Sequence, residues 1–236
     1  MTLPFSASCL GRQHFLYFLP LPQGQGSLRP GVAIGVNALE RKETLLYSAL
    51  LADASFHELL LAFDRDLADS QRTLGCTCGG ALHSAKYPRK PRGLPLGLSC
   101  LGPEHNQRFS FCCAIDGCRS RATPPSLRFL GRKVYPAAIV VLAAIMWHGI
   151  TEARLRRLSG TIAINRRTLT RWRVWWREAF TATPFWRRAR AAFMPPVDED
   201  GIPATLIERF AGNAADRLIA LLRFLRPITG GQVRAH

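Results

Sequence analysis

Acid is what this 236-residue chain has least of where it is most basic. Residues 86–190 carry 21 Lys and Arg against 4 Asp and Glu, residues 1–85 carry 6 against 7, and residues 191–236 carry 5 against 5. The segment charges of −1, +17 and 0 therefore place the whole net charge of +16 in one central block. A charge serving solubility alone would be spread along the chain, whereas a block of this kind is the footprint of a polyanion partner. The acids inside it, Glu104, Asp116, Glu152 and Glu178, are too sparse and unpatterned for a two-metal carboxylate nuclease site.

Other absences narrow the field further. The longest apolar run, Ala137 to Trp147, is well short of the roughly 20 residues that a membrane-spanning helix needs. Phe15 to Leu21 is apolar but short, is broken by prolines and lacks a basic flank, so no secretory signal is read there. There is no glycine loop followed by Lys-Ser/Thr to cradle phosphates, and no Gly-x-Ser-x-Gly elbow to present a nucleophile. These absences lead to the expectation of a cytoplasmic, nucleoid-associated protein that is not an enzyme and has neither a membrane partner nor a small-molecule substrate. With 47% hydrophobic and 20% charged residues, the chain is expected to be globular.

What the chain does have is clustered cysteine. Of its seven, two groups stand out: Cys76-Thr77-Cys78-Gly79-Gly80, and Cys112-Cys113 with Cys118. In a reducing compartment clustered thiols more often bind metal than form disulfides, and two tight turns offering a pair of sulfurs each complete a tetrahedral zinc site. The expected ligands are Cys76, Cys78, Cys113 and Cys118. Cys112 is the alternative to Cys113, and Cys100 and His83 stand in reserve. The Cys-x-Cys pair is one residue tighter than the common spacing, and free thiols or a redox role are the competing readings. Zn2+ held by four cysteines would be structural, because a closed sphere leaves no position for an activated water.

The rest of the chain is arranged about this stretch. Residues 1–36 read as an irregular or disordered leader. Residues 37–74 read as N-terminal helices, with Ser55 and Glu58 as a capping box and Phe56, Leu59, Leu60, Phe63 and Leu67 on the buried face. Asp64, Asp66 and Asp69 are expected on the solvated face. Residues 75–134 form a zinc-ribbon-like module whose extended, proline-stiffened loop sets Lys86, Arg89, Lys90 and Arg92 around Tyr87 for phosphate contact. Arg119, Arg121, Arg128, Arg132 and Lys133 continue that basic surface.

Residues 135–190 read as a helix-turn-helix unit. A buried helix opens at Pro136, a short second one follows Thr151, and a third runs from Arg166 to about Phe180 with Asn165 as its cap. Leu169, Trp172, Trp176 and Ala179 share one side of that third helix. Arg167, Thr170 and Val174 share the other, flanked by Arg166, Arg171 and Arg177. An aromatic anchor face backed by arginines is what a recognition helix needs. Residues 196–228 read as a helical hairpin whose stripe of Leu218, Leu221, Leu222 and Leu225 packs on the N-terminal helices or mediates a homodimer. The expected fold class is mainly α, with a small β zinc-ribbon-like module and a three-helix helix-turn-helix unit.

Taken together, Cys76-x-Cys-Gly-Gly, Lys86 to Gly93, Cys112-Cys113 with Cys118-Arg119-Ser120-Arg121, and Arg167-Thr168-Leu169-Thr170-Arg171-Trp172 resemble bacterial zinc-ribbon plus helix-turn-helix proteins, similar to the DNA-binding region of insertion-sequence transposases. The resemblance covers about residues 50–180. It implies a zinc-held module that binds duplex DNA through its third helix, as a transposon-associated regulator or accessory factor. A complete transposase would also need an acidic triad, and none is found. The two other readings are a compact metal-dependent nuclease or transposase using Asp64, Asp116 and Glu178, and an RNA-binding protein using Tyr87 and its basic loop.

Overall fold

A computed structural model describes residues 46–89, 91–94, 98, 100–131, 133, 135–146 and 164–233. The expected leader, Lys90, Arg132, and the second helix of the helix-turn-helix with its Thr151 cap lie outside the described residues, so that unit is not established as a whole. The fold is mainly helical with a small antiparallel sheet. Among the described residues no single helix is long and apolar enough to cross a membrane.

Helix α1 (Leu46–Ala52) meets α2 (Ala54–Leu74) at a 68° bend. The cap of α2 is Asp53, whose Oδ1 accepts from the Ser55 N–H at 2.9 Å, and not the expected Ser55. The buried face is also rotated from the one expected: Phe56, His57, Leu60, Leu61, Asp64 and Ala68 are buried, whereas Leu59 is exposed and Phe63 and Leu67 are only partly covered. The reason is a polar partner. Asp64 is not solvated but fully buried, and its carboxylate accepts from Ser126 Oγ at 2.5 Å, the Leu127 N–H at 2.6 Å and Arg128 Nε at 2.9 Å. Arg128 is therefore internal and not part of the basic surface, and its remaining N–H groups donate to the carbonyls of Glu104, His105 and Gln107.

Two hydrophobic clusters share α2. Phe56 and Leu60 belong to the large helical core, and Leu61 and Ala68 to the core beneath the sheet. The large core is built on α3 (Ala137–Met146), whose residues Ala137 to Ala144 are all buried, as expected of a helix that is apolar on every side. Around it pack α4 (Arg166–Val174, continued by a π-helical turn Trp175–Phe180), α5 (Pro184–Ala189), α6 (Ala204–Ile207) and α7 (Ala214–Leu225). Asn213 and Asp216 form a reciprocal capping box at the start of α7. The α7 leucine stripe is spent on the chain's own core: Leu218, Leu221, Leu222 and Leu225 are at most 1% exposed, so they are not free to pair with a second copy.

The four-stranded sheet has the order β1 (Leu82–Ser84), β4 (Phe111–Cys113), β5 (Arg121–Thr123) and β6 (Gly231–Val233), and a second ribbon pairs β2 (Tyr87–Pro88) with β3 (Gln107–Arg108). The loop around Tyr87 is thus in part a strand. The last strand, β6, was not expected from sequence. It is guided in by the buried Arg108, which donates to the carbonyls of Pro124 and Thr229, and by the Ser126 N–H, which donates to Thr229 Oγ1 at 2.8 Å. Gly230 permits the approach, since a Cβ there would lie 2.9 Å from the Pro125 nitrogen and 3.0 Å from the Thr123 carbonyl oxygen.

Candidate metal centre and basic helix face

The sheet brings the two cysteine groups together. Cys76 and Cys78 sit in the turn between α2 and β1, where the Cys76 N–H donates to Gly80 O and the Gly79 N–H to Cys76 O. Cys113 ends β4, and Cys118 lies in the turn to β5, where its N–H donates to Ile115 O. The sulfurs of Cys76, Cys78, Cys113 and Cys118 all lie within 4.8 Å of one another. Cys76 and Cys118 are 3.7 Å apart and Cys78 and Cys113 are 3.5 Å apart. A tetrahedron with Zn–S bonds of about 2.3 Å has edges of about 3.8 Å, so these separations suit a shared cation and are far too long for disulfides. The four expected cysteines therefore form a cluster placed to hold a metal ion.

Strand alternation decides between the adjacent thiols. Phe111 and Cys113 point into the core beneath the sheet, and Cys112 faces the opposite side, where its register partners are His83 and Arg121. Its sulfur lies 3.7 Å from Arg119 O and takes no part in the cluster. The reserve ligands His83 and Cys100 are also outside it.

At each sulfur the backbone N–H two positions further on favours the thiolate: that of Cys78 at Cys76, Gly80 at Cys78, Ile115 at Cys113 and Ser120 at Cys118. Four sulfurs at this range compete for charge. The Cys78 N–H lowers the Cys76 pKa, and the Ser120 hydroxyl and N–H hold Cys118 down to about 6. At Cys113 the Ile115 N–H pulls the same way but is outweighed by burial and the neighbouring sulfurs, which push the thiol up to about 12. Cys78 is likewise raised, its Gly80 N–H outweighed chiefly by Cys118. A bound dication would let all four ionise together. Gly80 is required by contact, because a Cβ there would lie 2.7 Å from Cys113 Sγ.

The residues expected to meet nucleic acid are divided. Lys86 is exposed, with Nζ 3.1 Å from Glu104 Oε1, and Arg92 is exposed on the following loop. Arg89 serves the interior instead: it donates to the carbonyls of Gly131 and Lys133 at 2.9 and 3.0 Å. On α4, Asn165 caps the helix as expected, accepting from the Thr168 N–H at 2.8 Å. Leu169, Trp172 and Trp176 are buried, and Arg166, Arg167, Thr170, Arg171, Arg173 and Arg177 are exposed. Arg171 donates to Thr168 Oγ1 at 3.3 Å, and Arg177 pairs with Asp200 at 3.1 Å. Ala179, expected inside, is exposed and Phe180 takes its place, because the wider π turn advances the buried face by one residue. From Arg166 to Arg177 the helix carries no carboxylate.

The carboxylates of the alternative catalytic reading do not gather. Asp64 is locked to Arg128, Asp116 is paired with Arg119 at 2.7 Å, and among the described residues the cysteines are the one group of metal-ligating side chains brought together. Comparison with protein-family models, with curated proteins and with solved structures finds no match.

Proposed function

We propose that the protein is a non-enzymatic duplex-DNA-binding protein in which a structural zinc ion, held by Cys76, Cys78, Cys113 and Cys118, fixes the sheet against α2 and the helical core. The observation that carries this reading is α4: Leu169, Trp172 and Trp176 anchor one side, while Arg167, Thr170 and Arg171 stand exposed on the other with no acid among them. Arginines so presented suit phosphate oxygens and guanine edges, and Lys86 and Arg92 supply further phosphate contacts. The ligand set leaves no coordination position for chemistry, which favours binding over hydrolysis. A role as a regulator or accessory factor of a mobile element follows the family resemblance.

The test is duplex binding by zinc-loaded protein over a salt series. Binding should fall steeply with salt, with a logarithmic slope near −0.9 for each phosphate contact, and an Arg167→Ala/Arg171→Ala double variant should lose affinity and slope together. Zinc-loaded protein that does not retain duplex at moderate salt would rule the proposal out. A preference for structured RNA over duplex in direct competition would replace it with the RNA reading.

A further inference from the structure

A groove runs along the flank of α4 beside the face just described and shares Arg171 with it. Its larger part, about 570 Å3, is lined by Lys133, Tyr135, Arg171, Trp172, Trp175 and Glu178, with Ala179 at its edge. A second part of about 410 Å3 continues past the same Lys133 and Trp175 to Gly131 and Ile228. These sizes fall within the roughly 300–1,000 Å3 typical of small-ligand sites.

Its chemistry is specific. Lys133 is half-buried, and Nζ sits 4.1 Å from the centroid of the Trp175 ring. Burial alone pulls its pKa below the ordinary lysine value, and among the described residues no carboxylate pairs with it. A desolvated ammonium without a counter-ion favours an incoming anion. Arg171, on the same groove, donates to the Thr168 hydroxyl and among the described residues pairs with no carboxylate, leaving guanidinium N–H groups to donate. Tyr135, Trp172 and Trp175 supply aromatic walls, with Tyr135 and Trp172 packed edge to face at 4.9 Å. Glu178 is the one acid among the described lining residues, and a carboxylate can accept from an amino group of a ring edge. Trp175, Glu178 and Ala179 all belong to the π-helical turn, a rare conformation that recurs at functional sites. Arg89 holds the backbone that carries Lys133 by donating to the carbonyls of Gly131 and Lys133.

We propose that this groove binds one nucleoside phosphate unit, its phosphate on Lys133 and Arg171 and its base against the Tyr135, Trp172 and Trp175 walls. Free nucleotide and an unpaired nucleotide of a DNA strand present this same chemistry. The inference does not depend on duplex binding by the outer face of α4.

The test uses the full zinc-loaded chain, with tryptophan fluorescence and calorimetry as readouts. Probes are adenosine 5′-monophosphate, adenosine, inorganic phosphate, and a duplex with and without an unpaired 3′ tail. The mononucleotide or the tail should bind saturably, and adenosine or phosphate alone should be weaker by about tenfold or more, since each lacks one half of the recognition. Lys133→Met, which keeps the aliphatic stem over Trp175, should lose about tenfold. Ala179→Trp, a change at an exposed residue, should block the groove without removing a charge. Far-UV circular dichroism and metal content equal to the parent show that both variants fold. Arg167→Ala, outside the groove, should lose blunt-duplex affinity and keep nucleotide affinity, so failure of the duplex reading and failure of this one are separable. Binding to the tail only, or equally to free nucleotide, supports the proposal and identifies the source. No saturable response to either at ~1 mM, the weak end of specific affinity, or unchanged affinity in Lys133→Met, overturns it.

Discussion

Asp64 and Arg128, 64 positions apart in sequence, form an ion pair at 2.9 Å whose side chains are 0% and 6% exposed. The pair ties the middle of α2 to the segment leaving β5, and every oxygen and N–H it uses is matched within the protein. Removing one member of such a pair strands the other charge in a medium that cannot solvate it. Asp64→Asn should therefore cost about 3–5 kcal/mol of folding stability. Asp66→Asn, one turn-face away and exposed, should stay within about 0.5 kcal/mol. Urea denaturation of both variants checks this, and equal midpoints would contradict the buried pair.

Metal content distinguishes the adjacent thiols. Purified protein should carry one zinc per chain. Cys113→Ser should lose it and Cys112→Ser should retain it, because only Cys113 turns toward the other sulfurs. Gly80→Ala, which leaves all four ligands in place, should weaken retention against a chelator by forcing a Cβ onto Cys113 Sγ. Zinc loss in Cys112→Ser as complete as in Cys113→Ser would refute the assignment.

The closing strand rests on one glycine and not its neighbour. Gly230→Ala should destabilise by about 1–3 kcal/mol, the usual cost of forcing a methyl group into packed backbone, whereas a Cβ at Gly231 meets nothing within 4 Å. Thermal melts of Gly230→Ala and Gly231→Ala provide the comparison. Similar shifts in both would mean that β6 does not pack as described.

Acid sensitivity should trace partly to His57. Burial lowers its pKa from the ordinary histidine value of 6.5, helped by His105 and opposed by the Leu51 carbonyl and Asp53. Its Nε2 lies 2.9 Å from that carbonyl, across the α1–α2 bend. Because the folded value is the lower one, the unfolded chain takes up the proton first. The contribution is complete above the unfolded value of 6.5 and is lost as pH falls from there toward the folded one. His57→Gln should flatten the fall in stability as pH drops below the ordinary histidine value. An unchanged slope in that window would show that the group titrates alike in both states.

Much of the site was legible because its signals are local. Two cysteine turns with glycines or a return loop beside them, an all-apolar run at Ala137, and an asparagine ahead of a leucine stripe each carry their meaning within a few residues. What escaped depends on partners far along the chain. Asp64 looks solvated by its helical period, and only Ser126 to Arg128 make its burial favourable. Residues 231–233 are too few to announce a strand, and their pairing is supplied by β5. The exchange of Ala179 for Phe180 inside α4 arises from a change of helical pitch, which a fixed 100° rule does not foresee.

The register of β6 bears on how the protein is made. Its partners Arg121, Ala122 and Thr123 are synthesised more than a hundred residues before Gly231 to Val233. During translation the outer edge of β5 consequently waits unpaired, with free N–H and C=O groups open to any extended segment nearby. The four sulfurs come from residues 76–118 and are all available much earlier. Metal captured on the nascent chain would hold β1, β4 and β5 together through that interval, keeping the exposed edge in shape until its own strand arrives.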